Sequence, residues 1–106
     1  MASEQQVLAM RYQFQDFGPA WARVLLACSR VFQERGDPAM ALDLAAWAGG
    51  VALQLGPFAL LDRPMFELVR DCLERHAGLL AASGDQQAGE EALAAVRTLT
   101  EQSPWS

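Results

Sequence analysis

The sequence predicts an all-α fold of about five helices, arranged as antiparallel hairpins or as a compact helical bundle. Ala and Leu, both strong helix formers, supply most of a hydrophobic content of 52%, whereas strand-favouring residues are scarce: the chain has no Ile, two Thr and one Tyr. Apolar residues also recur at spacings of three and four, which is the period of a helix with one buried face. At 106 residues, the chain is expected to form a single helical domain, residues 1–106.

The charge of the chain argues against two classes of partner. The formal net charge is −5, with eight Arg and no Lys. An acidic chain of this kind lacks the positive field that attracts phosphate backbones, so nucleic-acid binding is not expected. Adhesion to an anionic membrane surface is not expected for the same reason.

The sequence also predicts where the protein works. The stretch MASEQQVLAM lacks a basic start followed by an apolar core, so no signal peptide is expected, and no uninterrupted apolar run approaches the roughly 18 residues of a membrane span. Cys28 and Cys72 lie in apolar helical patterns and are expected to be buried free thiols, although one disulfide is an alternative. We therefore expect a cytoplasmic protein. The joint absence of Ile, Asn and Lys, whose codons are AT-rich, indicates a GC-rich and most simply bacterial genome.

The first two predicted helices are separated by the stretch DFGP. Helix one runs from about Ser3, its N-cap, to Phe14. Its apolar face is formed by residues three and four apart: Val7, Met10, Phe14 and Phe17. Gly18 tolerates a turn, and Pro19 suits the first turn of helix two, which runs to about Arg35. The apolar stripe of helix two is expected to face the core: Trp21, Val24, Leu25, Cys28, Val31 and Phe32.

The third predicted helix begins after the cap Asp37 and extends to about Leu55. Pro38 suits its first position. It carries a narrow stripe of mostly small residues that favours close helix packing: Ala41, Leu44, Ala45, Ala48, Val51, Ala52 and Leu55. Gly49 and Gly50 interrupt the stripe and cost roughly 1 kcal/mol each relative to Ala, so either the helix bends there or a neighbouring backbone approaches closely.

The stretch LGPFALLDRP is predicted to be an apolar linker, because it contains Gly and Pro. Phe58, Leu60 and Leu61 within it should be buried against the core or against a partner. Asp62 is expected to cap a fourth helix over about 63–83, with this apolar stripe: Met65, Leu68, Val69, Cys72, Leu73, His76, Leu79 and Leu80. A fifth helix, over about 86–102, directs these residues inward: Ala88, Ala92, Ala95, Val96 and Leu99.

Two stretches of the chain look alike, FQERGDPAMALDLAAWA and LLAASGDQQAGEEALAAV. Each reads as a long helix, a Gly-Asp step and an Ala-rich helix. A bulky apolar residue lies four before the glycine in both, Phe32 and Leu80, and a small residue lies seven before it, Ser29 and Ala77. This pattern resembles the tetratricopeptide repeat family, whose unit is a pair of antiparallel helices of about 34 residues.

The resemblance is stronger in the first hairpin than in the second. In the first, five residues match the family's small, aromatic, glycine and alanine positions: Ser29, Phe32, Gly36, Ala41 and Ala48. Leu25 stands where the family favours Trp, and Ala45 where it favours a large aromatic residue. In the second hairpin Gly89 replaces the expected alanine, and Gly84 lies 48 residues after Gly36, so the linker would be an insertion. Another all-helical bundle is the alternative.

The resemblance implies a protein–protein interaction module, such as a small cytosolic chaperone or adaptor that holds a helical partner, for example in a bacterial secretion system. In such folds the first helix of each pair lines the groove, which implies these partner-binding residues: Arg23, Leu26, Arg30 and Gln33. Phe58 and Trp105 are further candidates, because an apolar linker and a terminal Trp suit an interface. The alternative is a self-associating helical regulatory or ligand-binding domain, with the small-residue stripe as a dimer contact.

The chemistry-bearing residues do not predict an enzyme. His76 is the only histidine and lies one helical turn after Cys72, which permits two metal ligands or a Cys–His couple. Two ligands do not make a metal site, so a structural histidine is favoured. No phosphate-binding glycine loop, nucleophile elbow or Cys/His cluster occurs. We therefore predict no catalytic residue, no cofactor and no metal.

The tripeptide Arg35-Gly36-Asp37 matches an adhesion signal of secreted proteins. The same residues also serve as local structure, since Gly36 can end a helix and Asp37 can cap the next one. The Gly-Asp step recurs at Gly84-Asp85 without the arginine. The stretch is therefore interpreted as the turn of a helical hairpin.

Overall fold

The chain folds into four helices in a computed structural model that describes residues 4–59 and 61–105, with side chains from residue 17 onward. They are α1 (Glu4–Glu34), α2 (Pro38–Ala59), α3 (Arg63–Ala82) and α4 (Gln86–Gln102). No strand occurs among these residues. The predicted all-α class is confirmed, with four helices instead of about five.

The helix α1 is continuous where the sequence predicted two helices. Gly18 and Pro19 lie inside it and are buried. A proline inside a helix removes one backbone hydrogen bond and favours a bend, but burial of the surrounding turn can offset that loss. The predicted break at DFGP is therefore wrong. The 31 residues of α1 rise about 1.5 Å each, which matches the 44 Å long dimension of the domain.

The helix α2 runs without interruption through Gly49 and Gly50 to Ala59. The predicted end near Leu55 is therefore wrong, and half of the predicted linker belongs to α2. Gly49 is explained by close approach, since a Cβ atom there would lie 3.1 Å from Nδ1 of His76 in α3. The missing side chain at Gly49 thus leaves room for α3, and α2 remains helical there.

The small-residue stripe of α2 is used inside the chain. Among the described helices, α2 alone is long and apolar enough to cross a membrane by length and composition, with 22 residues and a mean hydropathy of 1.3. One face of α2 is nevertheless buried in the core of the domain, as is usual for the central helix of a folded domain. The buried residues of this face are Ala41, Ala45, Ala48, Gly49, Val51, Ala52, Leu55 and Ala59. Because the stripe is buried inside the chain, it is not free to form the dimer contact that was considered as the alternative.

The same glycine turn ends α1 and α3. Gly36 has a φ of 82° and Gly84 a φ of 96°, in the left-handed region that favours glycine. The N–H of the following aspartate donates to the carbonyl oxygen five residues earlier, at 2.9 Å in the first hairpin and 3.1 Å in the second. These bonds satisfy carbonyl groups at the helix ends. The predicted recurrence of the turn is confirmed.

Of the two predicted aspartate caps, the one at Asp37 is present, and Asp85 caps α4 in the same way without having been predicted to. A carboxylate oxygen of Asp37 and one of Asp85 each accept a hydrogen bond from the N–H three residues later, both at 3.1 Å. In Arg35-Gly36-Asp37 the carboxylate thus serves α2. Asp62 makes no side-chain cap bond to α3, so the cap predicted there is wrong. Pro64 stands in the first turn and has no N–H, so one of the two backbone N–H groups that a cap side chain can reach is absent there.

The helices pack in chain order. Each contacts the next, and α1 also contacts α3. Connections of three residues make neighbouring helices antiparallel. The two hairpins cross at equivalent small residues: Ser29 meets Ala41, and a Cβ atom at Gly89 would lie 3.3 Å from the carbonyl oxygen of Ala77. This equivalence supports an internal repeat.

The buried face of α1 differs from the predicted stripe. Trp21, Val24 and Val31 are 44%, 50% and 43% exposed. α1 is apolar around most of its circumference, so its periodicity did not identify the covered side. α2 and α3 cover the side that carries smaller residues. The main core is made of Ala22, Leu25, Leu26, Ala48, Val51, Ala52, Leu55, Ala59, Phe66, Leu68, Val69, Cys72, Leu73 and Val96.

A hydrogen-bonded junction at Ser29 joins three helices. Its Oγ donates to the carbonyl oxygen of Ala41 in α2 at 2.7 Å and accepts from Nε of Arg75 in α3 at 2.9 Å. Nη2 of Arg75 also donates to Oε1 of Gln33 at 2.8 Å. Ser29 is fully buried, so this hydroxyl sets how α1 crosses both neighbours.

Replacing Ser29 with alanine should lower the free energy of unfolding by roughly 1–3 kcal/mol, because Nε of Arg75 loses its acceptor in a partly buried site. Chemical denaturation measures the change. The matched control is Ser83→Ala, which removes an exposed hydroxyl that donates to the carbonyl oxygen of Leu80 at 2.7 Å. That variant should change stability by less than about 0.5 kcal/mol. Equal effects of the two substitutions would contradict the role of the junction.

Candidate functional site

An apolar groove of about 530 Å³ lies between α2 and α4. Both helices pack against α3, and direct contact between them is minor, so a channel remains over α3. Val69 and Leu73 of α3 form its floor. The described residues that line it carry no charge: Ala52, Leu53, Gly56, Pro57, Val69, Leu73, Ala95, Thr98, Leu99 and Gln102. The groove therefore suits an apolar ligand surface.

Small residues keep the groove open. Ala52 and Gly56 form the α2 wall, and Ala95 stands in the α4 wall. A Cβ atom at Gly56 would meet nothing within 4 Å. The sequence pattern missed these residues, because the Gly-Pro step of α2 indicated a linker. The sequence did contain a signal for a longer helix, because Leu53 and Gly56 are three residues apart and so share one face of α2, beside the buried stripe.

The groove also contains polar groups. Pro57 has no N–H, so the carbonyl oxygen of Leu53 lacks its intrahelical donor. Thr98 and Gln102 stand on the α4 side. The hydroxyl of Thr98 donates to the carbonyl oxygen of Ala94 at 3.0 Å and retains acceptor capacity. A bound segment would thus meet an apolar floor with a few hydrogen-bonding groups at the edges.

Trp105 folds back onto the end of α2. Its Nε1 donates to the carbonyl oxygen of Ala59 at 3.3 Å, which satisfies a group that the helix end leaves unpaired. The indole remains partly exposed. Ala59, which it contacts, lies two residues after Pro57 of the groove. Phe58 is half-buried and packs against the main core. Phe58 thus contributes to the core while Trp105 keeps a partly exposed ring, and the partner role predicted for both stays a prediction.

A second groove, of about 480 Å³, lies between α1 and α3. It contains Arg30 and Gln33, as the family resemblance implied, together with Asp71, Glu74 and Arg75. Arg75 was not predicted, because it stands outside the apolar stripe and its pairing with Ser29 is set by tertiary contact.

The other two residues predicted for this groove do not line it. Arg23 is exposed on α1 outside the groove. Leu26 is 6% exposed and belongs to the core, so its predicted partner role is wrong. The reason is that α1 turns Leu26 toward α2 and α3, where the packed helices leave no room for a partner side chain.

Cys72 and His76 serve to pack α3 against its neighbours. Burial raises the pKa of the Cys72 thiol to about 11, and the nearby Asp71 adds to the rise while Arg30 opposes it. Burial lowers the pKa of His76 below 6.5. A thiol that stays protonated at neutral pH is a weak nucleophile and a weak metal ligand. His76 instead fills the space that Gly49 leaves on α2.

Residues 17–59 and 61–105, whose side chains the structure describes, contain no group of three or more His, Cys, Asp or Glu placed to hold a metal ion. Cys28 and Cys72 are free thiols. Comparisons of the chain with protein-family models, with curated proteins and with solved structures found no match. The case for function therefore depends on the shape and chemistry of the grooves and of the exposed surface.

The buried Cys72 thiol should make the protein less stable between pH 9 and pH 11. The unfolded thiol titrates near 9.0 and the folded one near 11, so its contribution is complete below pH 9 and is lost as the pH rises through this window. The expected fall is roughly 1–3 kcal/mol. Denaturation at several pH values measures it, and the chain has no Lys to titrate in this range.

The control for this measurement is the half-buried Cys28. Cys72→Ala should abolish most of the fall in stability, whereas Cys28→Ala should leave it in place. An unchanged slope in the Cys72 variant would show that another group is responsible.

Proposed function

We propose that this chain is a protein-interaction module of the small chaperone or adaptor type, which holds one amphipathic helix of a partner in the groove between α2 and α4. The observation that carries the proposal is the uncharged groove that α2 and α4 leave open over α3. A helix placed there would lie above the buried Val69 and Leu73. Such a helix would cover the exposed Leu53 and Pro57 of α2 and Thr98 of α4. It would complete the layer that these two helices begin.

The size of the groove supports a row of side chains from one helix. Its volume of about 530 Å³ lies within the range of roughly 300–1,000 Å³ that is typical of ligand sites. Amphipathic helices bind such grooves through anchors at positions i, i+3, i+4 and i+7. The small residues Ala52, Gly56 and Ala95 give those anchors room to enter. The expected partner thus presents an apolar stripe of leucine-sized residues.

The groups at the groove edge refine the expected partner. Because the lining is uncharged, the stripe should contain no charged residue, since a buried unpaired charge is costly. A Ser, Thr or Asn side chain beside the stripe can donate to the carbonyl oxygen of Leu53. Acidic or basic residues belong on the outer face of the bound helix. A helix with these features aggregates when it is free, which is the kind of subunit that a chaperone protects.

The proposal changes the location of the binding surface implied by the tetratricopeptide resemblance. That resemblance favours the groove between α1 and α3, whose lining carries two arginines and two acidic residues: Arg30, Arg75, Asp71 and Glu74. An apolar stripe would have to desolvate these charges there, at a cost that the α2–α4 groove does not impose. We still expect the protein to work in the bacterial cytoplasm, where it would protect a helical subunit of a secretion system.

Filling the groove should abolish partner binding while preserving the fold. Gly56→Leu adds a side chain where nothing lies within 4 Å, and it replaces a helix-destabilising residue. Partner affinity should fall at least about tenfold. The measurement is co-expression with each protein encoded beside the gene, followed by co-purification and titration of the retained partner.

Two glycines supply matched controls. Gly50→Leu makes the same change on α2 at an open position outside the groove, and it should retain the partner. Gly78→Leu places the same side chain in the α1–α3 groove, also without a clash. Loss of binding in the Gly78 variant alone would move the site to that groove. A wild-type protein that retains none of the neighbouring gene products would count against the interaction module itself.

A further inference from the structure

The first hairpin carries a large uncovered apolar surface, on the side of α1 that faces away from α3. We call this surface the apolar end face. Its members are Phe17, Trp21, Val24 and Val31 of α1 with Met40 and Trp47 of α2, all exposed. The rings of Trp21 and Trp47 meet edge to face at 5.2 Å between centroids, which joins the two helices into one surface.

The spacing along α1 is that of a helix that packs against another helix. Phe17, Trp21, Val24, Cys28 and Val31 follow one another at alternating intervals of four and three, which is a heptad pattern. The same intervals continue in the sequence through Phe14, Met10 and Val7, and α1 is one continuous helix over this whole range. The residues between them on the outer side, Ala20 and Ala27, are small and exposed. This pattern predicts a long partner helix.

The opposite end of the domain has a different surface. The outer side of α4 carries exposed polar and charged residues at helical spacing: Gln87, Glu90, Arg97 and Glu101. Seating the apolar end face on this side would bury charges without partners, so a head-to-tail chain of copies is disfavoured. A second apolar end face is a matching surface, because the α1 strip from Phe17 to Val31 contains no charge on its outer side.

We infer that the apolar end face binds a second copy of this chain, with α1 antiparallel to α1 of the second copy about a two-fold axis near Val24. Such a contact is isologous and closes at a dimer. It uses a surface distinct from the α2–α4 groove, so it does not depend on the proposed function. No residue of the apolar end face lines either groove.

The uneven size of the side chains along the apolar end face favours an antiparallel orientation of the two α1 helices. Bulky Phe17, Trp21 and Trp47 lie at one end, whereas the smaller Val31 and the flexible Met40 lie at the other. An antiparallel pair places each aromatic end against an aliphatic end, where a methionine adapts well to aromatic rings. A parallel pair would crowd the aromatic ends together and leave the aliphatic ends apart.

The exposed area is that of a modest interface. Aromatic side chains carry roughly 150–250 Å² each, so exposures of 69%, 44% and 53% at Phe17, Trp21 and Trp47 leave about 300 Å² of aromatic surface uncovered. With the aliphatic members, the face approaches the roughly 600 Å² per partner of a small interface. The dimer should therefore dissociate at about 1 µM to 1 mM.

Sedimentation equilibrium over that concentration range tests the dimer. The wild type should show a reversible monomer–dimer equilibrium. Val24→Glu should weaken it at least about tenfold, because the two-fold axis brings the two carboxylates together. Leu93→Glu, a like change at an exposed position on α4, should dimerise as the wild type does. A wild type that stays monomeric throughout, or a Val24 variant that dimerises normally, overturns the inference.

Cysteine cross-linking tests the orientation and does not depend on how the Val24→Glu variant folds. In a Cys28→Ala background, Val24→Cys should form a disulfide-linked dimer, because the axis brings these positions within bonding distance. A mixture of Phe17→Cys and Val31→Cys proteins should cross-link to each other. If Phe17→Cys cross-links to itself instead, the helices are parallel and the inferred contact is wrong.

Discussion

The hydroxyl of Ser29 is the contact on which the arrangement of the first three helices depends. Serine is small enough to let α1 and α2 cross closely, and its oxygen also accepts the Nε hydrogen bond of Arg75 at 2.9 Å. Burial and the nearby Arg30 lower the pKa of Arg75, and Glu34 opposes them; an arginine in such a site needs acceptors. The second hairpin makes the equivalent close crossing at Ala77 and Gly89 with no hydroxyl. The crossing of α1 and α2 thus needs a hydroxyl, because Arg75 of the third helix, α3, donates a hydrogen bond to it.

The order of packing produces three different surfaces from one set of helices. Because α2 and α4 both rest on α3, an uncharged groove remains between them. Because α1 and α3 both rest on α2, a second groove remains on the other side, and Arg30, Gln33 and Arg75 make it polar. The outer side of α1 from Phe17 onward is left partly exposed, and it is apolar. We propose that the first surface holds a helical partner and that the last holds a second copy.

The sequence predicted the elements of the fold better than it predicted the sites. The turns at Gly36 and Gly84 could be predicted from the sequence, because only glycine readily adopts the left-handed conformation that ends these helices. The breaks expected at Pro19 and Gly56-Pro57 were wrong, because tertiary packing supports helices through residues that weaken them in isolation. The α2–α4 groove was missed for the same reason, since its Gly-Pro step indicated a linker. Leu26 was assigned to a partner surface although it lies in the core.

By itself, the sequence determined the all-α class, the two Gly-Asp turns with their aspartate caps, and the absence of a recognisable catalytic motif, because each depends on local chemistry within a few residues. Only the tertiary structure decided which side of α1 is buried. The helix is apolar around most of its circumference, so hydrophobic periodicity alone could not separate the core from the end face. The same limit applies to Arg75, whose partner Ser29 is 46 residues away in the chain. Contacts of that range are fixed by how whole helices pack, and it is that packing which leaves the grooves and the apolar end face exposed.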